Sequence, residues 1–145
     1  MVILIDEMES PLLDLVMAYA LGLNTKLVDN KMCNVKMGED WITYSPSNFY
    51  SQGMPIIEQN QISVIFSDNE PDRPDKNIWI AFKEDPSAYF NDEHTSIAST
   101  LLVAGIRYAA KSILGVDGIS EEHLEALSNG RDPSLENNEV ADVSP

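Results

Sequence analysis

Apolar positions along this chain change period from segment to segment, and each change marks an element. Val2 to Ile5 is a short apolar run that reads as a strand or the edge of one. Ser10-Pro11 reads as an N-cap followed by a first-turn proline. Leu12, Leu15, Val16 and Tyr19 then recur at helical spacing and Gly22 supplies a stop, so a helix is expected over residues 11–21. Thr25 to Met37 reads as a hairpin. Lys26-Leu27-Val28 leads into Asp29-Asn30, a pair that tolerates positive φ, after which Cys33, Val35 and Met37 alternate with polar neighbours. Gly38-Glu39-Asp40 breaks the alternation.

Gln61 to Phe66 and Asn77 to Phe82 are two further β-rich runs. The stretch SDNEPDRPDK between them has two prolines and six charges, the composition of a solvated hairpin loop. From Thr95 to Leu114, Ile97, Leu101, Gly105 and Tyr108 form one helical stripe. Ala98, Leu102, Ile106, Ala109 and Ile113 form the adjacent one, and Gly115 lies just past the end. This predicts the main helix, packed across a sheet, with Arg107 and Lys111 on its more polar side. Ser120 caps a short helix, EEHLEAL. After Arg131 the chain has four acidic and no basic side chains, so 130–145 reads as an acidic disordered tail and 1–129 as a single globular domain. The expected architecture is α+β. A small, mostly antiparallel sheet is covered by one long and one short helix, with an aromatic-rich central loop.

Charge narrows the function classes. Over 145 residues, nine basic against 24 acidic side chains give a net charge of −15. Such a polyanion repels phosphate backbones, which argues against direct nucleic-acid binding. Cys33 is the sole cysteine and lies in an alternating segment, so it is expected as a buried small hydrophobe in a reducing cytoplasm. The start of the chain has no basic region and only a four-residue apolar run, unlike a signal peptide or a membrane span.

Familiar catalytic constellations are missing. There is no GxGxxG, no Walker A loop and no GxSxG elbow, so no cofactor is expected and enzyme activity is not. His94 and His123 sit in polar contexts without a cysteine pair, which makes them surface histidines rather than metal ligands. Asp68, Glu70 and Asp72 alternate as a calcium loop begins, but Arg73 stands where glycine is needed and Trp79 where a bidentate Glu is needed. The acidic pairs Glu84-Asp85 and Asp92-Glu93 read as favourable charge near helix starts.

What remains is the segment Trp41 to Ile57. Trp41, Tyr44, Phe49 and Tyr50 can stack on a planar ligand while Ser45, Ser47 and Asn48 supply hydrogen bonds. With Trp79 these are the candidate ligand- or partner-binding residues. The competing reading is a loop folded onto the sheet as its own lid, its rings part of the core.

Within this segment Tyr44-Ser45-Pro46-Ser47, Gln52-Gly53, Pro55-Ile56-Ile57-Glu58 and Ile62-Ser63-Val64 resemble the central motif of the NinX-like proteins, small accessory proteins of tailed phages. Leu12 to Gly22 with Asp14, Asn77 to Ala81, and Ala104 to Gly115 with Arg107, Tyr108 and Lys111 resemble the flanking elements of that family. Met54 stands where the family usually has a second small residue, and Tyr50 where it often has tryptophan. The resemblance implies phage origin, a host bacterial cytoplasm and no particular reaction. It leads to the expectation of a binding protein acting against host defences, by capture of a small nucleotide-like ligand or a host defence component; self-association is compatible with either. The alternative is an acidic mimic of nucleic acid that blocks a host DNA- or RNA-binding protein.

Overall fold

A computed structural model describes residues 1–67, 78–83 and 95–130. Within them the chain is α+β. The elements run β1 (Val2–Leu4), a 3-10 turn (Ile5–Glu7), α1 (Leu12–Ala20), β2 (Thr25–Val28), β3 (Met32–Met37) and β4 (Asp40–Thr43). They continue with α2 (Tyr50–Gln59), β5 (Ile62–Ser67), β6 (Ile78–Lys83), β7 (Ser96–Ala98), α3 (Leu101–Leu114), β8 (Gly118–Ser120) and α4 (Glu121–Ser128). The strands form three small antiparallel sheets, β1-β8, β2-β3-β4 and β5-β6-β7, in place of the one sheet expected.

Helix α1 is more central than a covering helix. Leu13 to Ala18 are all buried, so the helix is enclosed on every side, packed against α3, α4, β2 and β3. It ends in a Schellman motif: the Leu23 N–H donates to the Ala18 carbonyl and the Gly22 N–H to that of Tyr19. Gly22 adopts φ +77°, which a side chain would strain. The start differs from the expected cap. Pro11, not Ser10, occupies the N-cap, and no side chain caps the helix.

Two more boundaries move. The β2–β3 turn forms as expected, with Asp29 and Asn30 at φ 55° and 57°. The chain then turns again and Trp41 continues the sheet as part of β4, where a loop was expected. At 95–100 a helix gives way to β7, which pairs with β6, and α3 starts only after Thr100, whose hydroxyl accepts the Val103 N–H. Ile97, read as part of the α3 stripe, therefore lies on a strand. Gly115 closes α3 at φ 70° as expected, and Ser120 caps α4 by accepting the His123 N–H.

The polar side of α3 is also not what spacing suggested. Arg107 is buried, its Nε donating to the Met8 carbonyl and its Nη1 to that of Ile97, both at 2.9 Å. Desolvation pulls its pKa below the ordinary value, opposed by nearby Asp6 and Glu9. Lys111 reaches Asp6 at 2.7 Å and the Thr95 carbonyl at 3.0 Å, while Ser96 donates to Asp6. Long cationic stems thus tie the 3-10 turn, β7 and α3 together. His123 is half-buried, set edge-on against Tyr19. The loop at 68–76, the acidic pairs at 84–85 and 92–93, His94 and the segment from 131 onward lie outside the described residues.

Candidate functional site

Asp14 is the one charged residue among LLDLVMAYA, and α1 carries it to the interior at 0% exposure. A buried carboxylate needs donors to replace water. Here the turn Ser45–Asn48 supplies them. Ser45 Oγ donates to Asp14 Oδ2 at 2.8 Å, Ser47 Oγ to the same oxygen at 3.0 Å, and the Ser47 N–H to Oδ1 at 2.9 Å. The Ser45 carbonyl accepts from the Asn48 and Phe49 N–H groups, closing the turn, and Asn48 Nδ2 donates to Ser45 Oγ.

Helix α2 holds the turn from the other side. The expected loop from Trp41 to Ile57 is helical from Tyr50 onward, despite Gly53 and Pro55. Pro55 lies on the exposed face, so water can reach the carbonyl its ring leaves unbonded. Gln52 Oε1 accepts the Ser45 N–H, and its Nε2 donates to the Thr43 carbonyl at 3.1 Å, as a neighbouring peptide would at the end of β4. A Cβ at Gly53 would overlap the Pro46 carbonyl and lie 2.8 Å from Leu102 Cδ2. Glycine here is what lets α2, the turn and α3 meet.

These contacts divide the expected site residues. Tyr44, Ser45 and Ser47 are buried, and the two serine hydroxyls are engaged by Asp14. Desolvation raises the Tyr44 hydroxyl to about 12 and the neighbouring Cys33 thiol to about 11; the Asp14 charge adds to both, and a hydrogen bond with Thr25 partly offsets the latter. Cys33 is the buried, inert cysteine expected. Trp41, Asn48, Phe49 and Tyr50 remain at the surface. Trp79 is separate, on β6, half-buried against Phe66.

Of the exposed rings, Trp41 has the richest surroundings. Strand register sets it opposite Lys36 on β3, and Lys26 and Asn34 share that outer face of the sheet. Lys26 Nζ stands 4.1 Å over the indole centroid. Asn34 Oδ1 is buried without a hydrogen-bond partner among the described residues. Sequence reasoning passed over Lys26, Lys36 and Asn34. Their signal was the period-two spacing that puts all three on the polar face of one hairpin. It also passed over Asp14 as a structural hub, marked by its isolation in an apolar helix. Among the described residues there is no metal-binding cluster of His, Cys, Asp or Glu, and no helix long and apolar enough to cross a membrane.

No protein-family model matches this chain. No curated protein matches it in sequence.

Proposed function

We propose that this chain acts by binding, and that the outer face of β2–β3–β4 captures a small, planar, anionic ligand of the nucleotide class. The observation that carries the reading is the Lys26 ammonium 4.1 Å over Trp41, with Lys36 directly across the register. In a chain of net charge −15, Lys26, Lys31 and Lys36 place three of the nine basic residues on one hairpin. A base stacks on the free face of the indole, and the phosphate is met by the two flanking ammonium groups. Ser45 and Ser47 are scaffold in this reading, since their hydroxyls already serve Asp14. The resemblance to the NinX-like phage proteins supplies the setting: sequestration of a host signal as a counter-defence, in the host cytoplasm.

The test uses Trp41 as its own reporter. In a Trp79→Phe background, titration with mono-, di- and cyclic nucleotides should quench the remaining indole saturably. Lys26→Ala and Lys36→Ala should each weaken the response at least about tenfold. No saturable quenching by any nucleotide up to about 1 mM, a weak-binding limit, would overturn the reading.

A further inference from the structure

Helix α4 delivers the chain to the edge of β2. Its last turn closes with the Gly130 N–H on the Leu127 carbonyl. A Cβ at Gly130 would stand 3.9 Å from Lys26 Cβ and 3.8 Å from the Thr25 carbonyl oxygen. Residues 131–145 therefore set out from beside Lys26, whose ammonium lies over Trp41. They carry Asp132, Glu136, Glu139 and Asp142 against Arg131 alone.

Charge decides where such a segment settles. In a chain of −15 most of the surface repels it. Arg107 is bonded to two backbone carbonyls and Lys111 to Asp6. The other described cations are Lys26, Lys31, Lys36 and Lys83, and three of these four are on the β2–β3 hairpin. Register gathers Lys26, Asn34, Lys36, Trp41 and Thr43 on the outward face of β2–β3–β4, with no carboxylate among them. Asp40 falls on the opposite face by the same alternation, and Asp29 and Glu39 stand in the turns at the two ends.

We propose that residues 131–145 lie across this face, with Asp132 and Glu136 against Lys26 and Lys36. Reach allows it. Lys36 is a diagonal neighbour of Lys26, about 7–8 Å away, and Trp41 lies opposite Lys36. Six extended residues span at most about 20 Å, so Glu136 passes Lys26 with chain to spare. Each exposed ion pair is weak alone, but the tether holds the partners at roughly millimolar effective concentration. The segment then occupies the ground where a nucleotide would bind and acts as a tethered competitor. That consequence rests on the nucleotide reading; the docking itself does not.

The full chain tests this in a Trp79→Phe background, where Trp41 is the only tryptophan. One variant combines Asp132→Asn, Glu136→Gln, Glu139→Gln and Asp142→Asn. At about 50 mM NaCl, acrylamide, an uncharged quencher, should quench Trp41 at least about twofold more strongly in that variant than in the parent. At about 1 M NaCl, where screening acts over about 3 Å, the two should converge. Zero-length carbodiimide coupling, read by peptide mass spectrometry, should join Asp132 or Glu136 to a hairpin lysine within monomeric chains. Equal quenching at low salt overturns the proposal. So does a difference that persists at high salt, or coupling that reaches no lysine of the hairpin. Nucleotide titration separates the two readings. A tethered competitor predicts at least about threefold tighter binding by the neutralised variant, and equal binding by both chains overturns the docking. No saturable response from either chain, beside the expected acrylamide difference, upholds the docking and removes the nucleotide reading.

Discussion

Asp14 and Ser47 are joined twice across 33 residues of chain: Oδ1 accepts the serine N–H at 2.9 Å and Oδ2 its hydroxyl at 3.0 Å. With Ser45 bound to Oδ2 as well, one buried carboxylate decides the shape of the turn that leads into α2. Asp14→Asn keeps the volume but places an amide N–H₂ where donors already point. Ser45 and Ser47 lose an anionic acceptor at a buried site. Urea unfolding should show a loss of about 2–4 kcal/mol. A variant within about 0.5 kcal/mol of the parent, the range of a bland surface change, would show that the turn is held by other contacts.

Gly53→Ala tests the close approach on the other side of the turn. The added methyl meets a backbone carbonyl, at Pro46, which cannot rotate away as a side-chain end can. Overpacking of this kind costs about 1–3 kcal/mol, read as a fall in melting temperature. If stability rises instead, helix propensity has outweighed the clash and α2 sits further from the turn than described.

Stability should fall at alkaline pH, beginning near 9. The unfolded chain releases the Cys33 proton at its ordinary 9.0, while the folded chain holds it to about 11. Between those values the unfolded state binds fewer protons, so raising the pH favours unfolding. Tyr44 adds the same sign between 10.0 and about 12. Urea midpoints measured at pH 8 and 10.5 should differ. Cys33→Ala should remove the part of the slope that begins at 9. Equal midpoints in the parent would contradict the burial assigned to both groups.

Leu102 lies 4% exposed on α3, against Gly53 of α2. Truncation to Ala should cost about 2–5 kcal/mol, the higher figure if the space does not collapse. A parent-like unfolding curve would place this helix at the periphery.

Generic double-stranded DNA should not be retained in a low-salt gel shift. The cations of the β2–β3 hairpin are few and local, and the net charge of −15 opposes a long polyanion far more than a single small one. A clear micromolar shift would show that the basic face outweighs the whole.

Features encoded within a few residues were legible in the sequence. Asp29-Asn30, Gly115 and Ser120 each do what their side chains or backbone freedom dictate locally. Features set by tertiary contact were not. Gly53 and Pro55 argue against a helix by propensity, yet α2 forms because Ile56 and Ile57 bury against the rest of the core and the proline faces water. Ile97 and Ala98 fit a helical stripe and a strand equally well, and only pairing with β6 decides between them. Arg107 looks polar by spacing and is buried because two backbone carbonyls, distant in sequence, await its guanidinium. Within the candidate site the aromatics were visible in advance, but their division into buried Tyr44 and exposed Trp41, Phe49 and Tyr50 depends on Asp14, which acts from another helix.

The pairing of β1 with β8 has a consequence for synthesis. Val2, Ile3 and Leu4 find their partners in Ser120, Ile119 and Gly118, and Ile5 bonds to the carbonyl of Asp117. At ribosomal speeds of about 5–20 residues per second, β1 waits on the order of ten seconds for β8 to emerge. Throughout that interval β1 is an apolar strand with free backbone groups, open to any strand that arrives first. Completion of this little two-stranded ribbon is therefore a late step of birth, and slowing translation past residue 100 should raise misassembly more than slowing it near residue 30.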